Sequence, residues 1–463
     1  MAIWYCDYKD CSKPAVRTNG ECPLCDRHLC SKHLEVGYHA CPRWNLQDDD
    51  GVYDSAAQDA EQKEIAALVD KIDTSALTSR ASSLRMGLPC RVVSPLRYDR
   101  ASRSSVMGGM NYHVELQFDD GVSWIARIRR SNATSPPPKL RDAIMSSEVS
   151  TLRFLEKLDI PTPRVFDFAL ESESVAGVGY ILMEKMPGKS LPRCNPSKDQ
   201  REKIISQVAD VFIELEKYPF QSMGSLRGNR EPVIGSFARE SLTESVDEEI
   251  HAVGPCSSRK EYLEKSVRLT LSLIMREEMY TACPVDAYII HLFLLDSIDA
   301  LCSAQAVPDN GRFYLKHPDD KGDHILVDDD YNITAIIDWE WAYTAPKSVA
   351  FNSPMAIFPV GDFYDGLTTP GEEEVLFAQL LEAKGSPELA DIVREGRVQH
   401  HFEFCHGYDI VADWDGFLGL FRGLRRAIGS GDGELDWGDW REKALVRYSE
   451  DENLKALISR QTD

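Results

Sequence analysis

Positive charge is in short supply in this sequence: 52 Lys and Arg stand against 75 Asp and Glu, a formal net charge of -23. A polyanionic partner requires a basic surface, so nucleic acid is excluded as the main partner. The same balance keeps a chain soluble and is compatible with an acidic cleft for a cationic ligand. Long apolar runs are missing too. The best apolar helical stretch, Tyr288 to Leu295, is short and interrupted by His291, so no membrane span is expected. The opening residues MAIWYCDYKD lack a basic patch followed by an apolar run, which argues against a secretory leader and for a cytoplasmic protein. No internal repeat is visible. What the chain does have is 463 residues at 43% hydrophobic content, enough for a large core shared among two or three structural units.

Cysteine is spread unevenly. Of the 12, Cys90, Cys194, Cys256, Cys283, Cys302 and Cys405 occur singly, a distribution suited to a reducing compartment. The other six, Cys6, Cys11, Cys22, Cys25, Cys30 and Cys41, crowd the N-terminus with His33 and His39. So many thiolate and imidazole ligands in one short segment meet the needs of two closed, tetrahedral zinc sites. With little core of its own, such a segment takes most of its folding energy from metal. A disulfide framework is the competing reading. From the third ligand onward the order resembles the AN-one-type zinc finger. That resemblance implies one site from Cys6, Cys11, Cys30 and His33, another from Cys22, Cys25, His39 and Cys41, and a protein-interaction role. The first gap is longer than the family's usual one, which leaves a different local pairing open.

The densest chemistry lies in YLKHPDDKGDHILVDDDYNITAIIDWEWA, residues 314–342. Phosphoryl transfer from ATP needs a carboxylate near the attacking hydroxyl and ligands that hold magnesium against the phosphates. Asp319 suits the first task, with His317 buttressing its loop. Ile325 to Val327 and Ile333 to Ile337 read as a hairpin around the acidic turn Asp328 to Asn332, returning Asp338 beside that loop as the main metal ligand. The segment resembles the aminoglycoside phosphotransferase family of the protein-kinase-like superfamily, whose pattern is His-Gly-Asp, then Asn, then Ile-Asp-Trp. His317, Asp319, Asp338 and Trp339 match it. Pro318 replaces the Gly, and His324 stands where the family carries its metal-binding Asn. Imidazole suits transition metals better than magnesium, and Asp323, one residue earlier, is a substitute ligand. Lys321 falls where protein kinases place a lysine that neutralises the transferring phosphate.

The resemblance implies an α+β, bilobal protein-kinase-like fold over residues 88–430, a small antiparallel β lobe above a larger helical one. Residues 1–45 would be the zinc finger, 46–87 an acidic linker with one helix near Ala60 to Ile72, and 431–463 a helical tail. Val92 and Val93, His113 to Phe118 and Val122 to Ile128 read as strands. The loop Ser104 to Asn111 carries Gly108 and Gly109, whose backbone would approach the ATP phosphates without side-chain clash. Arg127 takes the place of the phosphate-gripping kinase lysine, with Arg129 on the same strand face as the fallback. Glu148, in a helix expected over Lys139 to Leu158, is the partner for Arg127. Glu184 and Met186 lie at the expected hinge for adenine. Lys198 to Leu215, Lys260 to Leu273 and Asp286 to Cys302 carry helical spacing and fit the larger lobe. His400, His401, Cys405 and His406 match no metal-site spacing. The implied cofactors are ATP, magnesium or manganese, and two structural zinc ions; the implied partner is a small-molecule acceptor with a hydroxyl group. A second reading stays open: a binding platform with little or no turnover, favoured by His324 and by arginine at position 127. A protein acceptor is disfavoured, since no Ala-Pro-Glu follows Asp338.

Overall fold

The computed structural model describes residues 2–42, 51–94, 96–98, 107–133, 135–228, 231–246, 249–304, 307 and 309–462. The chain opens with a small module whose only strands among the described residues are the hairpin β1 (Glu21–Cys22) and β2 (Arg27–His28). Its apolar interior is as slight as the composition requires, with Leu29 packed among Cys6, Cys30 and Leu34.

The stretch expected as an acidic linker with one helix near Ala60 to Ile72 holds two helices, α1 (Val52–Val69), which overlaps the expected one, and α2 (Thr74–Leu84), capped by the Asp73 side chain on Ala76 N. The acidic residues mislead because they turn away from the apolar core, Asp54, Asp59 and Asp70 to solvent and Glu61 and Glu64 to Arg130. Ile65, Leu68, Ile72, Leu77 and Ala81 point inward and share a core with Tyr112, Val114, Leu116, Ala126 and Ile128. Each such buried aliphatic side chain is worth about 1.5–3 kcal/mol, so this segment belongs to the small lobe.

That lobe is built on a five-stranded antiparallel sheet of β3 (Cys90–Val92), β4 (Asn111–Phe118), β5 (Ser123–Arg129), β6 (Val165–Ala169) and β7 (Tyr180–Glu184), in the order β3-β4-β5-β7-β6. Between β5 and β6 runs α3 (Pro138–Leu155), started by a proline at its first turn. Val149, Leu152 and Leu155 of α3 pack in one cluster with Ile181 and Met183 of the sheet and with Leu226, Phe313 and Trp339 of the large lobe. The two lobes therefore share core through α3.

The large lobe is mainly helical. α4 (Lys198–Glu216) opens with a Ser197/Gln200 capping box, α5 (Arg259–Met275) is capped by Ser258, and α6 (Pro284–Ser303) is buried on most sides. The strand β8 (Phe313–Lys316) is followed by the hairpin β9 (Ile325–Val327) and β10 (Ile333–Ile336), which carries the site, and then pairs antiparallel with β11 (Tyr343–Pro346). The chain finishes with α7 (Glu372–Ala383), α8 (Pro387–Glu395), α9 (Arg397–Gly407), α10 (Trp414–Ala427), α11 (Trp437–Arg447) and α12 (Glu452–Thr462). The segment expected as a tail is integral to this lobe, because Trp440, Ala444, Leu454 and Leu457 sit in one core with Phe293 and Phe421. Among the described residues no helix is long and apolar enough to cross a membrane.

The N-terminal module touches both lobes. On the helical side Arg17 donates to Glu278 Oε2 at 2.9 Å and to Thr243 O at 2.5 Å, and Arg17 N donates to Glu278 O at 2.7 Å. On the sheet side Trp4 Nε1 donates to Ser135 O at 3.1 Å, and Asp26 accepts from Ala133 N at 2.6 Å, both in the loop leading into α3.

Candidate functional site

The hairpin β9–β10 forms where the alternation expects it, with Ile325 opposite Ile336. Its turn is tied by Asp328, which accepts from Asp330 N at 3.0 Å, Asn332 N at 2.8 Å and Asn332 Nδ2 at 2.9 Å. Upstream, His317 is fixed at both ring nitrogens: Nε2 donates to Ile337 O at 3.0 Å, and Nδ1 accepts from Asp319 N at 3.2 Å. One imidazole thus joins the loop of Asp319 to the residue before Asp338. Burial, opposed by the Ile337 bond, holds His317 below its ordinary pKa and so in the neutral form this tautomer requires. Trp339 is fully buried against it, with ring centroids 4.7 Å apart.

Asp319 itself is partly exposed and takes a 2.7 Å bond from Lys321 Nζ, which also reaches Asp323 Oδ2 at 3.3 Å. Its neighbour Asp320 faces inward, accepting from Lys316 Nζ at 2.7 Å and Met355 N at 3.0 Å. Of the two adjacent aspartates, one anchors the loop and the other stays available. His324 stacks on His317 at 4.2 Å, and its buried Nδ1 has no hydrogen-bond partner among the described residues. Burial first, then His317, Lys316 and Lys321, push its pKa down to about 2, so it is a neutral imidazole with an unsatisfied ring nitrogen.

From the other lobe Arg127 reaches into this site. It pairs with Glu148 of α3 and donates through Nη2 to Asp338 Oδ1 at 2.7 Å and Glu340 Oε2 at 2.9 Å. Burial works to raise the Asp338 pKa, but Arg127 and His317 prevail and hold it below the ordinary value. Asp338 has a φ of 64° and Trp341 one of 60°. Non-glycine residues pay about 1–3 kcal/mol for such conformations, which persist where surroundings over-determine them and cluster at functional sites.

Glu340, two residues after Asp338, is the counter-charge that completes this set. It is 3% exposed and binds Arg127, Arg129 and Asn111 Nδ2. The signal was the shared strand face: two arginines at i and i+2 need a common counter-charge. His113, paired in register with Arg127, was missed altogether; burial, then Arg127, pushes its pKa down to about 4.

Of the small-residue loop, residues 104–106 lie outside the described residues. A Cβ at Gly108 or Gly109 would meet nothing, so both face open space. Their carbonyls accept from Arg130 Nη1 at 3.3 and 3.2 Å, and Arg130 is in turn held by Glu64 of α1 at 2.7 Å. At the hinge, Glu184 N donates to Arg164 O at 2.9 Å, the Glu184 side chain is exposed and Met186 is half-buried. Gly188 (φ 111°) turns the chain there, where a Cβ would collide with Thr334 Oγ1 and Val327 O.

The cysteines and histidines of the N-terminal module gather into two sets, Cys6, Cys11, Cys30 and His33, and Cys22, Cys25, His39 and Cys41, the ligand atoms of each set lying within 4.8 Å of one another. Tetrahedral zinc at about 2.3 Å from each sulfur spaces its ligands about 3.8 Å apart. Cys11 and Cys30 sulfurs are 4.0 Å apart, Cys6 Sγ lies 3.3 Å from His33 Nδ1, and Cys25 Sγ lies 3.6 Å from His39 Nε2. The donor sets therefore fit zinc. Burial, with neighbouring thiols, pushes Cys30 up to about 11 and Cys41 up to about 12. All 12 cysteines are free thiols, so no disulfide framework is formed.

A sequence model of the phosphotransferase enzyme family matches residues 108–346. A subtelomeric hrmA-associated cluster protein of Aspergillus fumigatus is 30% identical over 165 residues, covering 33% of this chain and 28% of that protein. Clavilactone A biosynthesis cluster protein Y of Ampulloclitocybe clavipes is 23% identical over 254 residues, covering 53% and 61%. The chain thus matches under two thirds of the length of these relatives. Among solved structures, a thermostable mutant of aminoglycoside phosphotransferase APH(4)-Ia in complex with AMP-PNP and hygromycin B aligns with a TM-score of 0.42 at 13% identity, over 77% of this chain and 99% of that one. A putative fructosamine-3-kinase from Thermobifida fusca aligns with a TM-score of 0.44 at 14% identity, over 76% and 98%.

Proposed function

The chain belongs to the phosphotransferase enzyme family, and from that premise we propose that it is an ATP-dependent kinase that phosphorylates a hydroxyl group of a small molecule. The observation that carries this reading is the bond from Arg127 of the sheet to Asp338 of the hairpin, 2.7 Å long, with Glu148 on the same guanidinium. It brings a phosphate-gripping cation, a charged carboxylate and the His317–Asp319 loop to one cleft between the lobes. Asp319 would accept the proton of the acceptor hydroxyl as it attacks, with His317 fixing its backbone and Lys321 offsetting charge on the transferring group. Asp338 and Asp323 offer the oxygen ligands that magnesium takes. His324, neutral with a ring nitrogen unpaired among the described residues, offers an imidazole that suits a transition metal better than magnesium. A divalent cation held by these residues would supply charge neutralisation at the transferring phosphate. Gly108 and Gly109, and the hinge at Glu184 and Met186, would bound the nucleotide.

The N-terminal module would hold two structural zinc ions, as its AN-one-like order and ligand distances support. Its contacts here are with this chain's own lobes, so its first partner is the enzyme itself.

Calorimetric titration with ATP, in magnesium and then in manganese, tests the reading on the intact protein and on Asp338→Ala. Metal-dependent binding that vanishes in the variant is expected. Absence of binding with either metal would remove the catalytic reading and leave a binding platform.

A further inference from the structure

One guanidinium of the N-terminal module grips a segment that backs the cleft. The Arg17 side chain is 5% exposed, and besides Glu278 it binds main chain: Nη1 donates to Thr243 O at 2.5 Å and to Glu240 O at 3.3 Å. Those two carbonyls bracket the single helical turn Glu240–Leu242. A planar cation forked between a carboxylate and two carbonyls fixes the orientation of the turn as well as its distance.

The same segment meets the cleft at two further points. Glu240 Oε1 lies 3.8 Å from Arg129 Nη2, an ion pair without a hydrogen bond. Arg129 also pairs with Glu340 Oε1, while the other oxygen, Oε2, accepts from Arg127 Nη2 at 2.9 Å, and that nitrogen donates to Asp338 Oδ1 at 2.7 Å. The second point is apolar. Ala238, two residues before Glu240, is 1% exposed and packs with Leu140 and Ile144 of α3 and with Trp341. Ile144 stands one turn before Glu148, the α3 partner of Arg127. Trp341 follows Glu340 directly, and its ring centroid is 5.4 Å from the guanidinium carbon of Arg129.

The charges give these contacts a direction. Glu340 offers one oxygen to each of two arginines, and Glu240 supplies Arg129 with a second carboxylate. Without Glu240, Glu340 is the one carboxylate left within ion-pair reach of Arg129 among the described residues. Arg129 then draws Glu340 away from Arg127, and the bond from Arg127 to Asp338 loses its support.

We propose that Arg17 and Glu240 are positioning residues for the cleft: the module holds the Glu240–Leu242 turn, the turn holds Arg129 and Trp341, and these set Glu340 and Arg127 for ATP. This rests on the phosphotransferase reading only in taking Arg127 as the residue that grips the nucleotide. Adjacency becomes coupling only where two perturbations fail to add.

ATP titration calorimetry with magnesium and with manganese, and hydrogen exchange over residues 337–342, test this on the full chain. The variants are Arg17→Lys, Glu240→Gln, the two combined, and Lys13→Met. Lysine at 17 keeps a charge opposite Glu278 but cannot also fork to both carbonyls. Lys13→Met removes an exposed contact of the module with Glu277, 3.6 Å long, that does not touch the turn. Arg17→Lys and Glu240→Gln are each expected to weaken ATP binding by about fivefold or more, the lower end of ordinary coupling, and to speed exchange over 337–342. The double variant is expected to be no weaker than the weaker single one, and Lys13→Met to match wild type. Unchanged exchange and ATP binding in Glu240→Gln, which is partly exposed and tolerates the amide even if lysine at 17 does not fold, overturn the proposal. So do losses that multiply in the double variant, or a loss in Lys13→Met equal to that in Arg17→Lys. If wild type binds no ATP but exchange over 337–342 still rises in both single variants and no further in the double, the positioning stands and the kinase reading falls.

Discussion

Arg17 Nη2 lies 2.8 Å from Glu278 Oε2, and the two side chains are 5% and 1% exposed. The pair locks the N-terminal module to the helical lobe in a place water does not reach. Removing one partner of such a pair strands the other. Arg17→Met is therefore expected to lower unfolding free energy by about 3 kcal/mol, with Arg276, 2.8 Å from Glu278 Oε1, softening the loss. Denaturant melts measure it. Faster hydrogen exchange over residues 131–148 accompanies it, because that loop and helix are held from the same module.

The proposed function divides the cleft's work into grip and transfer. Arg127→Lys keeps the charge but cannot fork to Glu148, Asp338 and Glu340 at once, so ATP affinity drops about tenfold or more, equivalent to about 1.4 kcal/mol. Asp319→Asn leaves ATP affinity close to wild type and lowers turnover by about 10²–10⁴. Titration calorimetry and ADP release distinguish the two. Equal loss of binding in both variants would refute the division.

Metal analysis of the purified chain should return two zinc ions. Their removal by a chelator frees the eight ligands, melts the module and exposes Trp4, whose ring packs 5.1 Å from that of His28. A red-shifted tryptophan emission reports it. Cys30→Ser should release one ion of the pair, whereas Cys90→Ser, outside both sets, should release none.

Acid should weaken the fold before the carboxylates titrate. His113, His291 and His401 have pKa values pushed down to about 4, chiefly by burial. In the unfolded chain a histidine titrates near about 6.5. Between the two values the unfolded state binds more protons than the folded one, so stability falls as pH falls through that window. Each such histidine adds a slope of about 1.4 kcal/mol per pH unit. His291→Gln, with one ring nitrogen's bond to Ala287 O replaced by an amide, should flatten the melting profile between pH 6.5 and 4 by one proton's worth.

The parts of the site legible in the sequence were those set by local spacing or by resemblance. The hairpin at Ile325–Val327 and Ile333–Ile336 follows from local alternation, whereas the Arg127–Glu148 pair and the division into two cysteine–histidine sets were legible through the two family resemblances. What escaped depends on long-range approach. Glu340 binds arginines more than 200 residues away in sequence, since the Arg127 contact spans 213. α1 looked like a linker because its few apolar residues, Ile65 and Leu68, are too sparse for a clear stripe. They are buried by a sheet formed much later in the chain. His324 is legible as a substitution but not as a ring stacked on His317.

The contacts of Trp4 and Asp26 with the loop before α3, and of Arg17 with Glu278, give the lobes a connection beyond the covalent one at Glu184 to Gly188, the core shared through α3 and the Arg127 bonds. Through this outer connection the two bodies form a closed mechanical ring, in which any widening of the cleft must stretch the module or tear it from one side. The cysteines proposed to hold zinc thereby also set the stiffness of the enzyme's jaw.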